Sequence, residues 1–137
     1  MGNSSRRGFT LVELLVAISI VALVSAVAFP MLGGVYGKRQ RAEAVQKVAA
    51  LVRTAAATAS SREMPLSVYA TSSLVEIRSN NTPLGADYAV VLPPGSTVSP
   101  QGEVFRFDKR GRLVSGSTLS LNGKTLSVSR WGQVVVQ

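Results

Sequence analysis

The chain has 137 residues, enough for about one domain, and carries 15 Lys and Arg against 7 Asp and Glu, a formal charge of +8. It contains no His and no Cys, which excludes a Ser-His-Asp triad, a Cys-His nucleophile pair, the usual zinc sites and any disulfide. No activated nucleophile or paired acids are evident, so we expect neither an enzyme nor a bound cofactor or metal. The carboxylates are scattered along the chain: Glu13, Glu43, Glu63, Glu76, Asp87, Glu103 and Asp108.

The first feature along the chain is an apolar segment. From Phe9 to Phe29, 17 of 21 residues are Ala, Val, Ile, Leu or Phe. About 20 mostly apolar residues suffice for a helix that crosses the bilayer core. The segment is compatible with a plain membrane anchor, for which Arg6 and Arg7 favour a cytoplasmic N-terminus. It is also compatible with a secretory signal peptide cleaved at the small-x-small sequence Ala26-Val27-Ala28.

A third interpretation comes from residues 8–18, which read GFTLVELLVAI. This stretch resembles the prepilin signal of type IV pilins and pseudopilins. The resemblance implies that a prepilin peptidase cuts between Gly8 and Phe9, removes the leader 1–8 and N-methylates Phe9. Residues 9–29 are then kept as a transmembrane helix and filament stem. The resemblance further implies a helix kink at Pro30.

Glu13 is the candidate for subunit assembly. A carboxylate inside a membrane segment costs about 2.5–3.5 kcal/mol at a helix centre, so it is a functional candidate by default. Glu13 lies one helical turn after Phe9. The resemblance implies that it pairs with the new α-amine of Phe9 on a neighbouring subunit. The alternative is that Glu13 only reaches out to the membrane surface.

Residues 30–64 predict an amphipathic helix on the periplasmic side of the membrane. A kink or a partly unwound stretch is predicted at its start by four helix-weakening residues, Pro30, Gly33, Gly34 and Gly37. Glu43 and Lys47 form a favourable i, i+4 pair, and Pro65 ends the helix. One apolar stripe follows helical spacing and predicts a core face: Val45, Val48, Ala49, Val52, Ala55, Ala56 and Ala59.

Residues 65–137 predict an antiparallel β domain, because the apolar period changes to two and turn residues recur. Asn122-Gly123 indicates a two-residue hairpin that places Leu119, Leu121, Leu126 and Val128 toward the helix. The last strand is either buried on both faces or an exposed edge. The predicted strands are Leu66–Ala70, Leu74–Arg78, Tyr88–Leu92, Val104–Asp108, Thr118–Leu121, Lys124–Ser129 and Gln133–Val136.

The predicted fold is therefore α+β and pilin-like, with one long N-terminal helix packed on the β domain. The sequence of 105–111, FRFDKRG, and the ending 128–134, VSRWGQV, look like those of GspH/FimT-type pseudopilins. This resemblance implies a minor pseudopilin of the type II secretion system, anchored in the inner membrane and assembled with other major and minor pseudopilins. The lack of Cys argues against a major type IV pilin, which usually has a disulfide loop. The major pseudopilin's acidic calcium site is not expected, since only Asp108 follows Glu103.

The alternative is a FimT-like minor type IV pilin that binds DNA for uptake. Without residues 1–8 the chain keeps 13 Lys and Arg against 7 acids, and basic groups bind phosphates without reading sequence. Gly111-Arg112-Leu113-Val114 departs at its last position from the family's Gly-Arg-x-Arg pattern. Phe107 and Trp131 are nearby in the sequence, and we expect them to stack on bases. The candidate DNA-binding cations are Lys109, Arg110, Arg112, Lys124 and Arg130.

Overall fold

The structure is a computed structural model that describes residues 9–137, apart from the side chains of residues 29–33. In this described part, one helix, α1 (Leu11–Ser61), is followed by ten strands and one 3-10 turn (Ala86–Tyr88). The described chain forms two compact units that divide between Tyr36 and Gly37. The strands are β1 (Leu66–Ala70), β2 (Leu74–Ser79), β3 (Thr82–Pro83), β4 (Ala89–Val91), β5 (Val98–Ser99), β6 (Gly102–Phe107), β7 (Leu113–Ser115), β8 (Thr118–Leu121), β9 (Lys124–Val128) and β10 (Val134–Val136).

Helix α1 ends where the sequence predicts, just before Pro65. Glu63 adopts a left-handed conformation with φ of 51°, and the backbone N–H of Met64 donates to the carbonyl of Ala59 at 3.1 Å. This is a Schellman-type end, in which the left-handed residue turns the chain away from the helix axis. Met64 then packs against the core, so the chain enters β1 with a fixed direction.

The backbone is helical through Pro30 and Gly37, so the partly unwound stretch expected there was wrong. Proline removes one backbone donor, and the helical hydrogen bonds on either side can continue past it. The side chain of Pro30 lies outside the described residues, and the kink stays a prediction. Gly8, Arg6 and Arg7 also lie outside them.

The β domain consists of two antiparallel sheets. In the first, the order is β3-β2-β1-β6-β7, and β4 also pairs with β2. In the second, the order is β10-β9-β8-β5. All seven predicted strands are present, β1 and β8 with the predicted bounds and the other five with shifted ends, whereas β3, β5 and β7 were missed. Each missed strand has only two or three residues, too few to show an alternating pattern.

The hairpin at Asn122-Gly123 is confirmed. Both turn residues have positive φ, 54° and 78°, and Leu121 pairs with Lys124 across the turn. This matches a type I′ turn, whose twist suits the flanking strands. The leucines of β8 and the apolar residues of β9 are buried as predicted.

Strand β10 resolves the two alternatives for the C-terminus in favour of an edge. Among residues 9–137 it pairs only with β9, and Val135 is 52% exposed. The Arg53 guanidinium of α1 donates to the carbonyl of Val134 at 3.2 Å. One backbone carbonyl on the outer side of this edge, that of Val134, is therefore already bonded to a side chain and not free to pair with another strand.

The second half of α1 and both sheets share one core. Every residue of the predicted stripe is buried, and the off-stripe pair Glu43–Lys47 forms an exposed ion pair at 2.8 Å. A Lys47 hydrogen bond and charge lower the pKa of Glu43. The largest fully buried side chains come from the strands: Phe105, Phe107, Leu66, Ile77, Leu119, Leu121 and Leu126.

Two glycine turns approach α1 closely at Ala56. Gly111 and Gly132 both have positive φ, 72° and 77°. A Cβ at Gly111 would lie 2.5 Å from the carbonyl oxygen of Ala56, and one at Gly132 would lie 2.8 Å from the Ala56 Cβ. Any larger residue at these three positions would push a turn away from the helix.

We expect Gly111→Ala to destabilise the β domain more than Gly123→Ala. Both substitutions impose a left-handed conformation on alanine, at about 1–2 kcal/mol. Only residue 111 also meets the backbone of α1, which adds about 1–3 kcal/mol of overpacking, because the space beside Gly123 is open. Thermal unfolding of the full-length chain in detergent, followed by circular dichroism, measures the difference. Equal losses in the two variants would contradict the close packing at Ala56.

Candidate functional site

The first half of α1 is apolar on all sides. An 18-residue window, Leu11–Ala28, has a mean hydropathy of 2.6, and none of it is buried. Its length and composition suit a membrane span, and it lies near the N-terminus as a signal sequence would. A helix that is hydrophobic all round requires a membrane or a partner to cover it. The described chain supplies no such cover for this window.

The two serines of this window are satisfied within the helix. The Ser19 hydroxyl donates to the carbonyl of Leu15 at 2.8 Å, and that of Ser25 donates to Val21 at 2.7 Å. Such back-bonding suits a lipid environment, where water is not available to hydrogen-bond a hydroxyl. Neither serine therefore interrupts the apolar surface with an unpaired donor.

The helix begins with a capping box made by Thr10 and Glu13. The Glu13 backbone N–H donates to Thr10 Oγ1 at 3.2 Å, and the Thr10 backbone N–H donates to Glu13 Oε2 at 3.0 Å. The Thr10 hydroxyl also donates to Oε2, at 3.2 Å. These bonds satisfy two otherwise free donors at the helix start. The spacing Thr-x-x-Glu is visible in the sequence, but the capping box was not among the predicted features.

The capping box gives Glu13 a second role beside the predicted one. Its carboxylate lies next to the helix N-terminus, where a negative charge is favourable. Phe9 precedes the box and is 82% exposed. In this single chain the Glu13 carboxylate binds its own backbone, so pairing with a neighbouring subunit would share or replace those bonds.

Comparison with known proteins bears on this end of the chain. A family profile described as the prokaryotic N-terminal methylation motif matches residues 3–29. The chain carries a type IV pilin-like prepilin signal. That signal implies processing by prepilin peptidase and assembly with pilin-like proteins, and it points to a structural protein. Comparison with curated proteins and with solved structures finds no match.

The five candidate DNA-binding cations of the β domain do not all line the same cavity. Arg112 and Arg130 line one cavity of about 290 Å³ together with Asp108, whereas Lys124 lines a different one. Lys109 and Arg110 are exposed in the turn between β6 and β7.

Asp108 organises the turn that carries these cations. Its Oδ1 accepts the backbone N–H groups of Arg110 at 2.9 Å and Arg112 at 3.0 Å. Its Oδ2 accepts Nε and Nη2 of Arg112 at 3.0 and 2.8 Å. The backbone bond from Arg112, assisted by the other bonds, lowers the pKa of Asp108. The charge of Arg112 is thus engaged within the turn.

The stacking role assigned to Phe107 was wrong. Its side chain is fully buried, because it shares the core-facing side of β6 with Phe105. Trp131, in contrast, is 73% exposed in the turn between β9 and β10. The exposed pair Arg130 and Trp131 is the part of the predicted DNA surface that combines a cation with an available aromatic ring.

Metal binding has no candidate in the described part of the chain. Across residues 9–137, no three His, Cys, Asp or Glu side chains are grouped closely enough to hold an ion.

We expect Asp108 to stabilise the folded chain above pH 4 and to lose that effect in acid. Its folded pKa is lowered from an unfolded value near 3.9, so its contribution is present above that value and disappears as pH falls through the folded pKa. Asp108→Asn should therefore lower the melting temperature at pH 6, with a difference that shrinks toward pH 2. A difference that is constant with pH would contradict the role of the carboxylate charge.

Proposed function

We propose that this chain is a minor pseudopilin of the type II secretion system, similar to the GspH/FimT type. It assembles through α1 into a periplasmic pseudopilus, near its tip or at its initiation, and thereby supports protein export. The observation that carries the proposal is the prepilin signal at residues 3–29 on a helix with no apolar cover within the described chain. The role is structural rather than enzymatic.

The proposed topology is a single pass through the bacterial inner membrane. Residues 1–8 form the cytoplasmic leader, 9–29 the span, 30–64 the periplasmic part of the helix and 65–137 the periplasmic β domain. Gly8 and Phe9 flank the peptidase cut, Phe9 is methylated, and Pro30 kinks the helix. Major and minor pseudopilins are the proposed partners.

Two features of the chain favour a minor over a major subunit. The sequence has no Cys, so the disulfide loop of major type IV pilins is absent. Both carboxylate oxygens of Asp108 are engaged by Arg110 and Arg112. That leaves the last acid of the chain poorly placed to bind calcium.

We expect the mature chain to begin at N-methylated Phe9. Intact mass of the membrane-extracted protein, expressed with a prepilin peptidase, should fit residues 9–137 plus one methyl group. Gly8→Val should leave the leader attached, since a side chain at this position obstructs the close approach of the peptidase to the backbone. A mature chain that starts at Phe29 would indicate an ordinary signal peptide and contradict the proposal.

We expect Glu13→Gln to be processed but to fail in filament incorporation. Glutamine at the third helical position keeps the capping box, so this variant removes the charge and retains the cap. Thr10→Val is the matched control: it weakens the cap, worth about 0.5–2 kcal/mol, and retains the Glu13 charge. Cleavage and the amount of protein in sheared filaments are measured for both. If Thr10→Val fails as completely as Glu13→Gln, the cap rather than the charge governs assembly.

A further inference from the structure

The turn between β8 and β9 carries an asparagine–glycine pair that the proposed assembly role does not use. Asn122 is followed by Gly123, whereas the three other asparagines of the chain, Asn3, Asn80 and Asn81, do not precede a glycine. An asparagine amide reacts most readily when glycine follows, because glycine has no Cβ to hinder the approach of its backbone nitrogen to the side chain. The pair is therefore a candidate for modification without an enzyme.

The two reacting groups of this pair are held differently. The Gly123 N–H lies at the exposed tip of the turn and donates no hydrogen bond within residues 9–137. The Asn122 side chain, in contrast, is bonded at both ends. Its Oδ1 accepts the backbone N–H of Thr97 at 3.0 Å, and its Nδ2 donates to the carbonyl of Arg41 at 3.4 Å. The attacking nitrogen is thus free, whereas the amide that it would attack must first release two contacts.

The surroundings of Asn122 are basic. Its side chain lines a cavity of about 370 Å³ together with three exposed cations, Lys38 and Arg41 of α1 and Lys124 of β9. No carboxylate is among the lining residues, and within the described part of the chain none of the three cations forms an ion pair. Like charges repel one another, so a negative charge at position 122 would be favourable.

We propose that Asn122 is a deamidation site whose product gives the cavity a counter-charge. The backbone nitrogen of Gly123 loses its proton to solvent and attacks Cγ of Asn122. The bond from Cγ to Nδ2 breaks, Nδ2 takes up a proton and leaves as ammonia, and a five-membered succinimide remains. Solvent water then adds to one of the two ring carbonyls and opens the ring. Because the reaction requires only water, it is independent of filament assembly.

The two products fit the hairpin differently. Attack of water at Cγ gives an aspartate, which keeps the length of the backbone, tolerates the φ of 54° at this position and still accepts from Thr97. Attack at the main-chain carbonyl gives an isoaspartate. Its additional backbone carbon lengthens a two-residue turn and disturbs the pairing of Leu121 with Lys124. The aspartate form therefore keeps the fold and places one carboxylate beside three cations.

The test incubates the full-length chain in uncharged detergent at mildly alkaline pH, in water enriched in a heavy oxygen isotope so that only deamidation during the incubation is counted. Trypsin then releases residues 113–124, which contain Asn122, and residues 79–106, which contain Asn80 and Asn81. We expect Asn122 to deamidate fastest. The same site should react about tenfold faster in urea, where both hydrogen bonds of its amide are lost. Equal rates at the three asparagines, or equal rates with and without urea, would overturn the proposal.

Gly123→Ala is the matched variant. The space beside Gly123 is open, so the fold accommodates the added Cβ at the cost of a left-handed alanine. Because this Cβ hinders the attacking nitrogen, the rate at Asn122 should fall to that at Asn81, which also has a left-handed backbone and precedes threonine. The same decrease is expected in urea, where folding has no influence. An unchanged rate would contradict attack by the Gly123 nitrogen.

The charge of the product is tested with Asn122→Asp. Salt screens the attraction between the carboxylate and the three cations, so the melting temperature of this variant relative to the wild type should fall as salt is added. In an Arg41→Gln/Lys124→Gln background the same substitution should lose this salt dependence, because its partners are gone. A difference that does not change with salt in either background would contradict the counter-charge.

Discussion

The contact on which the rest of the structure depends is the packing of the small-residue face of α1 against the strand turns. Ala56 lies at its centre, with Gly111 on one turn and Gly132 on another. Small residues allow backbone to approach backbone, so two separate sheets share one helix and one core. The same contact fixes the turns that carry Arg112 and Arg130, since Arg112 directly follows Gly111 and Arg130 is two residues before Gly132.

Helix α1 has to satisfy two different environments with one backbone. Its first part exposes apolar side chains on every side, and its second part buries a single stripe under the sheets. Polar groups in the first part are satisfied locally, by the capping box at Thr10 and Glu13 and by the bond from Ser19 to Leu15. The hydrophobic surface that remains is too extensive for a soluble monomer, and a bilayer or a bundle of like helices would cover it.

The sequence predicted the features that depend on local patterns. The stripe from Val45 to Ala59, the hairpin at Asn122 and seven strands follow from periodicity and turn chemistry. Strands of two or three residues, such as β3, were missed because so few residues show no alternating pattern. Such a strand is recognised only by its hydrogen bonds to a neighbouring strand, here β2. The pairing of Arg112 with Asp108 depends on the geometry of one turn, which composition does not encode. The burial of Phe107, in contrast, was predictable from its alternation with Phe105.

The bond from Arg53 to Val134 has a consequence for the route by which such chains associate. An exposed strand edge can recruit another sheet, and uncontrolled recruitment leads to aggregation. Here a helix side chain occupies an acceptor of the β10 edge at 3.2 Å, and the edge is only three residues long. The prepilin signal implies assembly with pilin-like proteins, and in this chain the sheet edge is protected while the apolar surface of the helix is exposed. We therefore expect contacts between such chains to form through the apolar surface of the helix rather than through the β10 edge.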